Sequence, residues 1–430
     1  MKQFKIIFYS CLSLLMMFLS SCRKDYINPN AATDVQVFSS PLGLTGVAIS
    51  LQRVYTAGRA SSLYNKLALD GLLTKQLLVL NQGNTSEYQL DLGGNSVDGT
   101  NTILGGLWSS SNKIIYDAEK VIAGANGLSD KSYANGLIGY ATVFEALALG
   151  DLSMFWEKVP ASVGKDVTFI DRAQGFARAI TLIDNAFTAI NATAISTAFL
   201  GNIPVGIDIV NTLHALKARY SLFTGNYAQA LTEANAVNLA VKSTFNFSAV
   251  NLNPIFETST STNNVYGIVD TNLGLPAGLQ PDPVDKRIPF YVTSAYASKI
   301  LGFGAGTTTP IPVYLPGEMT LIKAEAYARQ ATPDLVNGQI ELNKVITKQP
   351  ATDPFGVGAG LPPVAGLTQQ QVLDQIYKQR SIELFMSGLR LEDQRRFNRP
   401  TTERKRNLLP YPFLERDNNP NLAGINDPAF

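Results

Sequence analysis

The sequence is nearly empty of the residues that most often carry out covalent chemistry. Its 430 residues include one histidine, His214, and two cysteines, Cys11 and Cys22. Zinc centres draw on several His and Cys side chains, and an activated nucleophile needs a base beside it and a group to orient that base. His214 lies in Thr212-Leu213-His214-Ala215-Leu216, inside a helical pattern, with no nucleophile or orienting acid near it in sequence. It reads as an ordinary helix-surface or half-buried residue. Cys11 falls within an apolar leader and Cys22 at its end, so the body that follows has no pair of thiols to join and depends on packing for stability. Charge is scarce too: Asp, Glu, Lys and Arg make up 16% of the chain, against roughly 25% in ordinary globular proteins. With 35 basic and 34 acidic residues and no long block of either sign, nothing argues for nucleic acid. Asn, Thr, Ser, Gln and Gly take the place of charge, a surface suited to neutral polar ligands. Tryptophan occurs twice, at Trp108 and Trp156, both in helical stripes.

What is present begins with the leader. Lys2 and Lys5 precede Ile6–Leu19, which is apolar apart from Ser10, Cys11 and Ser13. Such a layout is that of a secretory signal, and the run is short for a span that needs about 20 residues. No second apolar run is long enough to span a membrane. Leu19-Ser20-Ser21-Cys22 resembles the bacterial lipobox, whose cysteine is acylated and becomes the new N-terminus. The expected organisation is a lipoprotein signal peptide over 1–21, a lipid tether over 22–40 and a single domain over 41–430. Asn28-Pro29-Asn30 and its polar surroundings predict a tether without regular structure as far as Phe38.

The domain reads as helical throughout most of its length. Pro41–Leu80 has apolar residues at three- and four-residue steps, with Asp70 the lone acid among them. Leu107–Ala123 and Lys131–Trp156 form a helical hairpin, and Arg172–Ile190 is another amphipathic helix. The most legible pair is Asp208–Ala240. Its first helix carries Leu213, Leu216, Tyr220 and Phe223. Gly225 then supplies a C-terminal stop, and small residues from Ala228 to Ala234 permit close approach. Two stretches break the pattern. Residues 81–104 are dense in Gly and Asn, and residues 246–312 hold a Ser/Thr/Asn run, prolines and three glycines, with Val265–Val269 and Ile288–Val292 as short strands. Both predict irregular inserts mounted on helices. A last helix is expected from Gln369, capped by Thr368, to about Phe397. On it Arg380–Glu383 and Arg390–Asp393 stand at i,i+3 and predict ion pairs, with Gly388 between them as a place to bend or admit another backbone. Glu383 and Asp393 would be separated by about 15 Å along a straight helix, too far for a glycosidase pair.

Several of these pieces resemble the SusD/RagB family of Bacteroidetes outer-membrane nutrient-binding lipoproteins. Trp108 through Tyr116 to Val121 resembles an early family helix, and Leu137–Pro160 the helix that ends before a Val-Pro. Thr224-Gly225-Asn226-Tyr227 with Ala228 to Ala230 is similar to a tetratricopeptide turn, and Ala324-Glu325-Ala326 to another family segment. The most specific stretch is Arg380-Ser381-Ile382-Glu383-Leu384-Phe385-Met386-Ser387-Gly388-Leu389-Arg390-Leu391-Glu392-Asp393, followed by Tyr411-Pro412-Phe413 and Asn418-Asn419-Pro420-Asn421. Ser387 stands where the family has Glu, Phe413 replaces a proline, and the chain is short for the family, which leaves the ligand class open.

The resemblance implies an all-α, tetratricopeptide-like superhelix with long loop inserts, held by Cys22 at the outer membrane and facing outward. It implies a non-catalytic receptor that binds an oligomeric nutrient, foremost an oligosaccharide, and delivers it to a SusC-type TonB-dependent transporter. A peptide-binding member of the family, a helical-repeat assembly protein with only protein partners, and a hydrolase are the competing readings. No cofactor or metal is expected, although Asp270, Asp282 and Asp285 mark where a loop could hold calcium. Sugar sites pair aromatic faces with Asn, Asp, Gln and Arg. The candidate ligand residues are therefore the loop tyrosines Tyr88, Tyr266, Tyr291 and Tyr296, with Trp108 as a further platform. Tyr88 stands beside Glu87, Gln89 and Asp91.

Overall fold

The computed structural model describes residues 34–261, 263–293, 299–428 and 430. Phe38–Phe430 is one compact unit. Helix starts follow from polar caps that satisfy the first free amides. The Ser40 hydroxyl accepts the Gly43 N–H at 3.1 Å, and Pro41 opens α1 (Pro41–Thr56). Ser61 caps α2 (Ser62–Leu73) in the same way, Asn101 caps α3 (Thr102–Asn126) and Asp130 caps α4 (Lys131–Phe155). Asp171 and Gln174 form a reciprocal capping box at α5 (Arg172–Ala192).

The core centres on α4. Every residue from Ala134 to Phe155 is buried, under cover of α1, α3, α5 and α6 (Ile209–Phe223). Against the expectation that no second segment could span a membrane, this helix is long and apolar enough by length and composition, but its most apolar stretch is wholly buried inside the protein. A helix apolar on every side calls for such a position.

Past α6 the chain stops where the sequence placed the stop. Gly225 has φ +76°, the Asn226 N–H reaches the Ser221 carbonyl at 2.8 Å and the Gly225 N–H reaches Leu222 at 3.1 Å. This is the double bond of a Schellman turn, and it releases the chain into α7 (Tyr227–Ala236). The stack continues through α8 (Pro316–Arg329), which packs on α7, and α9 (Leu335–Ile346) and α10 (Gln369–Glu383), which pack on α8. Thr368 and Gln371 form the capping box of α10.

The strands are short: β1 (Leu77–Val79), β2 (Lys158–Pro160), β3 (Phe169–Asp171), β4 (Thr244–Phe245), β5 (Tyr266–Ile268) and β6 (Ile311–Pro312). They pair antiparallel as β1 with β5, β2 with β3 and β4 with β6. The first ribbon sets Leu77 opposite Ile268 and Val79 opposite Tyr266, and so ties the second insert to the end of α2.

Four segments depart from the expected pattern. Asp34–Phe38, expected as irregular tether, is a short helix. The insert over 81–104 contains a helix, Thr85–Leu92, because Glu87 and Leu90 on its inner face have a core to enter. Ile288–Val292 is not a strand. Asp285 accepts the Arg287 amide at 3.0 Å and starts a helix, Arg287–Tyr291, in which Pro289 falls in the first turn, where no amide partner is needed. The expected helix from Gln369 to Phe397 is broken. Met386 at φ +59° and Gly388 at φ +74° turn the chain after Glu383, and α11 (Arg390–Arg396) starts anew.

That break reassigns the ion pairs. Arg380 meets Asp393 across the turn at 2.8 Å, and Arg396 joins Asp393 and Glu325, each at 2.7 Å. Glu383 pairs with Arg287 at 3.2 Å and also with Lys348. Asp70, the lone acid of the apolar stretch, accepts the Arg390 and Leu391 amides at 3.3 and 2.7 Å, and thereby places a carboxylate at the start of α11.

Candidate functional site

Cys22 and Tyr296 lie outside the described residues. Of the other aromatic candidates, three belong to the core: Tyr266, Tyr291 and Trp108. Tyr266 is 0% exposed, lies against Tyr64 at 6.4 Å between ring centroids, and its hydroxyl is 3.1 Å from that of Thr258. Tyr291 packs edge-on to Phe290 and Phe385 and donates to the Glu383 carbonyl at 2.9 Å. Neither offers a face to a ligand, so both leave the candidate set. Their strand and helix point inward even though the surrounding sequence is loop-like. Trp108 is also buried. It sits among Trp156 at 5.0 Å, Tyr411 at 5.8 Å and Phe169 at 6.3 Å, with its indole N–H donated to Glu415 at 3.1 Å.

Tyr88 alone among these reaches the surface. It is half-buried on the helix Thr85–Leu92, one turn after Asn84 and on the same face. The carboxylate of Glu87, on the inner side of that helix, is 3% exposed and accepts the Tyr64 hydroxyl at 2.8 Å. It also receives Nη2 of Arg59, a residue absent from the sequence-based candidates. The same Nη2 donates to Asn84 Oδ1 at 3.2 Å, and the guanidinium carbon stands 5.8 Å from the Tyr64 ring centre. Burial works against the Arg59 charge, but Tyr64 and the Glu87 bond outweigh it and raise its pKa.

Hydrogen bonds carry this rim across to the second insert. Asn84 Nδ2 donates to the Asn81 carbonyl at 3.1 Å, and the amides of Leu80 and Asn81 reach the Val265 carbonyl at 2.9 and 3.4 Å. Asn264, next to Val265, is exposed with φ +46°. Hydrogen bonds thus join Arg59, Asn84 and Asn81, with Tyr88 one turn further along the helix and Asn264 next to the Val265 carbonyl that Asn81 reaches. The nearby charge of Asp91 is occupied by Lys405.

On the other side of the same helix, the Ser86 hydroxyl meets that of Thr102 at 2.7 Å, and Asn101 donates to Gln89 at 2.9 Å. There a groove of about 550 Å³ runs between the first turns of α3 and the segment Pro412–Glu415. Its floor is the backbone at Gly105, where a Cβ would meet nothing within 4 Å, and Trp108 lies behind it. Thr100, Thr102 and Ser109 supply hydroxyls, and Phe413, 55% exposed, supplies an aromatic wall. The rim offers amides and one guanidinium, and the groove on the far side of the helix offers a ring, hydroxyls and the Glu415 carboxylate; both can bind a polar chain. Neither holds a nucleophile–base pair.

His214 lies elsewhere, 2.6 Å from Glu233 and ring to ring with Phe187 at 4.4 Å, where it ties α6 to its neighbours. Among the described residues no three His, Cys, Asp or Glu side chains converge as a metal site. The Asp285 carboxylate is taken by Arg287, and Asp270 and Asp282 cap their own turns through Gly274 and Val284, each at 3.0 Å.

The architecture defines a helical-repeat scaffold that carries inserts between its helices. More particularly, it is the fold of the SusD-like proteins. A SusD superfamily protein from Bacteroides fragilis aligns with a TM-score of 0.66 and 16% identity, covering 90% of this chain and 99% of that one. One from Bacteroides thetaiotaomicron aligns at 0.66 and 15%, covering 89% and 98%. A laminarin-binding SusD-like protein aligns at 0.57 and 14%, covering 88% and 97%. No protein-family sequence model matches the chain, and no curated protein matches it.

Proposed function

We propose that this chain is a non-catalytic nutrient receptor. In this reading it is anchored by lipid at Cys22 on the outer face of the outer membrane, binds an oligosaccharide, and delivers it to a SusC-type TonB-dependent transporter. The observation that carries the reading is the alignment with SusD-like proteins over most of both chains, 90% of this chain and 99% of one of them. The laminarin-binding neighbour supports a glycan as the ligand class. The amide rim, the exposed ring of Phe413 and the low charge of the chain suit hydroxyl-rich ligands. The neighbouring barrel would do the transport, which is consistent with a receptor that needs no chemistry of its own.

Calorimetry with laminarihexaose, maltohexaose and xylohexaose tests this reading. Saturable binding of one of them without cleavage, checked by chromatography of the recovered sugar, is the expected result. Binding to a peptide panel with no glycan bound would overturn the oligosaccharide assignment, and cleaved sugar would overturn the receptor assignment.

A further inference from the structure

We infer that the rim around Arg59 selects uncharged oligosaccharides over acidic ones, a conclusion that rests on the oligosaccharide reading above. An arginine at the edge of a sugar site would ordinarily suggest an acidic ligand, because its fork of N–H groups clamps a carboxylate through two parallel bonds. A guanidinium has two such forks, Nε with Nη2 and Nη1 with Nη2. Both require Nη2. In this protein Nη2 already faces two acceptors, the Glu87 carboxylate and Asn84 Oδ1, and so both of its hydrogens are taken by protein groups. Nε and Nη1 are not the atoms that meet Glu87 and Asn84, the Tyr64 hydroxyl also lies beside the guanidinium, and the side chain is 41% exposed. What remains is a set of separate single donors. They fit hydroxyl oxygens and do not fit the two oxygens of one carboxylate.

Charge acts in the same direction. Glu87 is 3% exposed and cannot turn away from the pair, because its carboxylate is also held by the Tyr64 hydroxyl. A ligand carboxylate brought to Arg59 would meet a cation whose charge is already balanced, with a fixed anion directly behind it. The other groups along the edge, Asn81, Asn84, Tyr88 and Asn264, are neutral. They offer donors and acceptors suited to sugar hydroxyls and add no positive charge to offset an acid.

The test compares neutral probes (laminarihexaose, maltohexaose and xylohexaose) with acidic ones (hexagalacturonate and a hyaluronan hexasaccharide), by calorimetry at low salt. The wild-type chain should bind a neutral probe at least about tenfold more tightly than either acidic probe, a gap of about 1.4 kcal/mol. Glu87→Gln keeps the acceptor for Tyr64 and removes the fixed anion; it should narrow the gap by strengthening acidic-probe binding relative to neutral-probe binding. Arg59→Gln should weaken neutral binding and abolish the gain in the double variant. The wild-type comparison stands even if a variant fails to fold. Equal or tighter wild-type binding of an acidic probe would overturn this inference and leave the receptor reading intact. A folded wild-type chain that binds none of the five sugars would overturn both.

Discussion

Glu145 is 0% exposed in the middle of α4, and neither of its carboxylate oxygens has a hydrogen-bond partner among the described residues. Burial pushes its pKa up to about 8, with Glu119 adding to the shift and Arg178 opposing it. The folded chain therefore keeps a proton that the unfolded chain releases above its ordinary value of 4.5. The stability tied to this group is complete below that value and is lost as pH rises toward about 8. Glu145→Gln should thus gain on the wild type as pH rises, by about 2–4 kcal/mol between pH 5 and pH 8. Urea unfolding of both chains at the two pH values measures the difference. An equal offset at both would show that the carboxyl is not held neutral. The tyrosines separate in the same kind of experiment. Tyr88→Ala should weaken ligand binding with the melting temperature unchanged. Tyr266→Ala should cost about 3–5 kcal/mol of stability, as other truncations of buried rings do.

At the scale of elements, the break between α10 and α11 organises the ion pairs. Gly388 adopts φ +74°, and a Cβ there would stand 2.7 Å from Cε of Lys66, whose ammonium is held by Asp151 at 2.9 Å. Neither the backbone nor the neighbour can give way cheaply, so Gly388→Ala should cost more than about 1 kcal/mol. Gly105 lies in a helix over open space, and Gly105→Ala should be neutral or stabilising by up to about 1 kcal/mol. Gly105→Phe should leave melting unchanged and obstruct the groove, which reads out as lost sugar binding. The difference between the two glycines could not be seen in sequence. The Gly225 stop was legible because a periodic helix precedes it and another follows. At Met386–Gly388 the sequence offered Gly388 as a place to bend, but not a full break, because apolar and charged residues keep a helical spacing straight through it and Met386 is not a residue that announces a left-handed backbone.

For the whole molecule, the lipid at Cys22 and the folded body are proposed to act independently. Cys22→Ala should release the protein from membranes, with ligand affinity and melting temperature unchanged. Protein that stays on the membrane after carbonate washing would remove the lipid anchor from the proposal. The body itself is built without a disulfide among the described residues, around a helix that is buried along nearly its entire length.

Sequence alone determined that this would be a helical-repeat body with two inserts, poor in the residues of catalysis, because helix period, caps and composition are local properties that the chain states directly. The tertiary structure decided which rings meet solvent and which acid meets which base. Tyr88, Tyr266 and Tyr291 sit in similarly irregular sequence, and an insert has no period that assigns a face. Only the β1–β5 ribbon and the α10 packing sent two of them inward. Arg59 reached the candidate site the same way. Its partner Glu87 lies on a helix that forms because a core was there to receive it, and Asn81, bonded to Asn84, is tied to Val265 from a distant part of the chain.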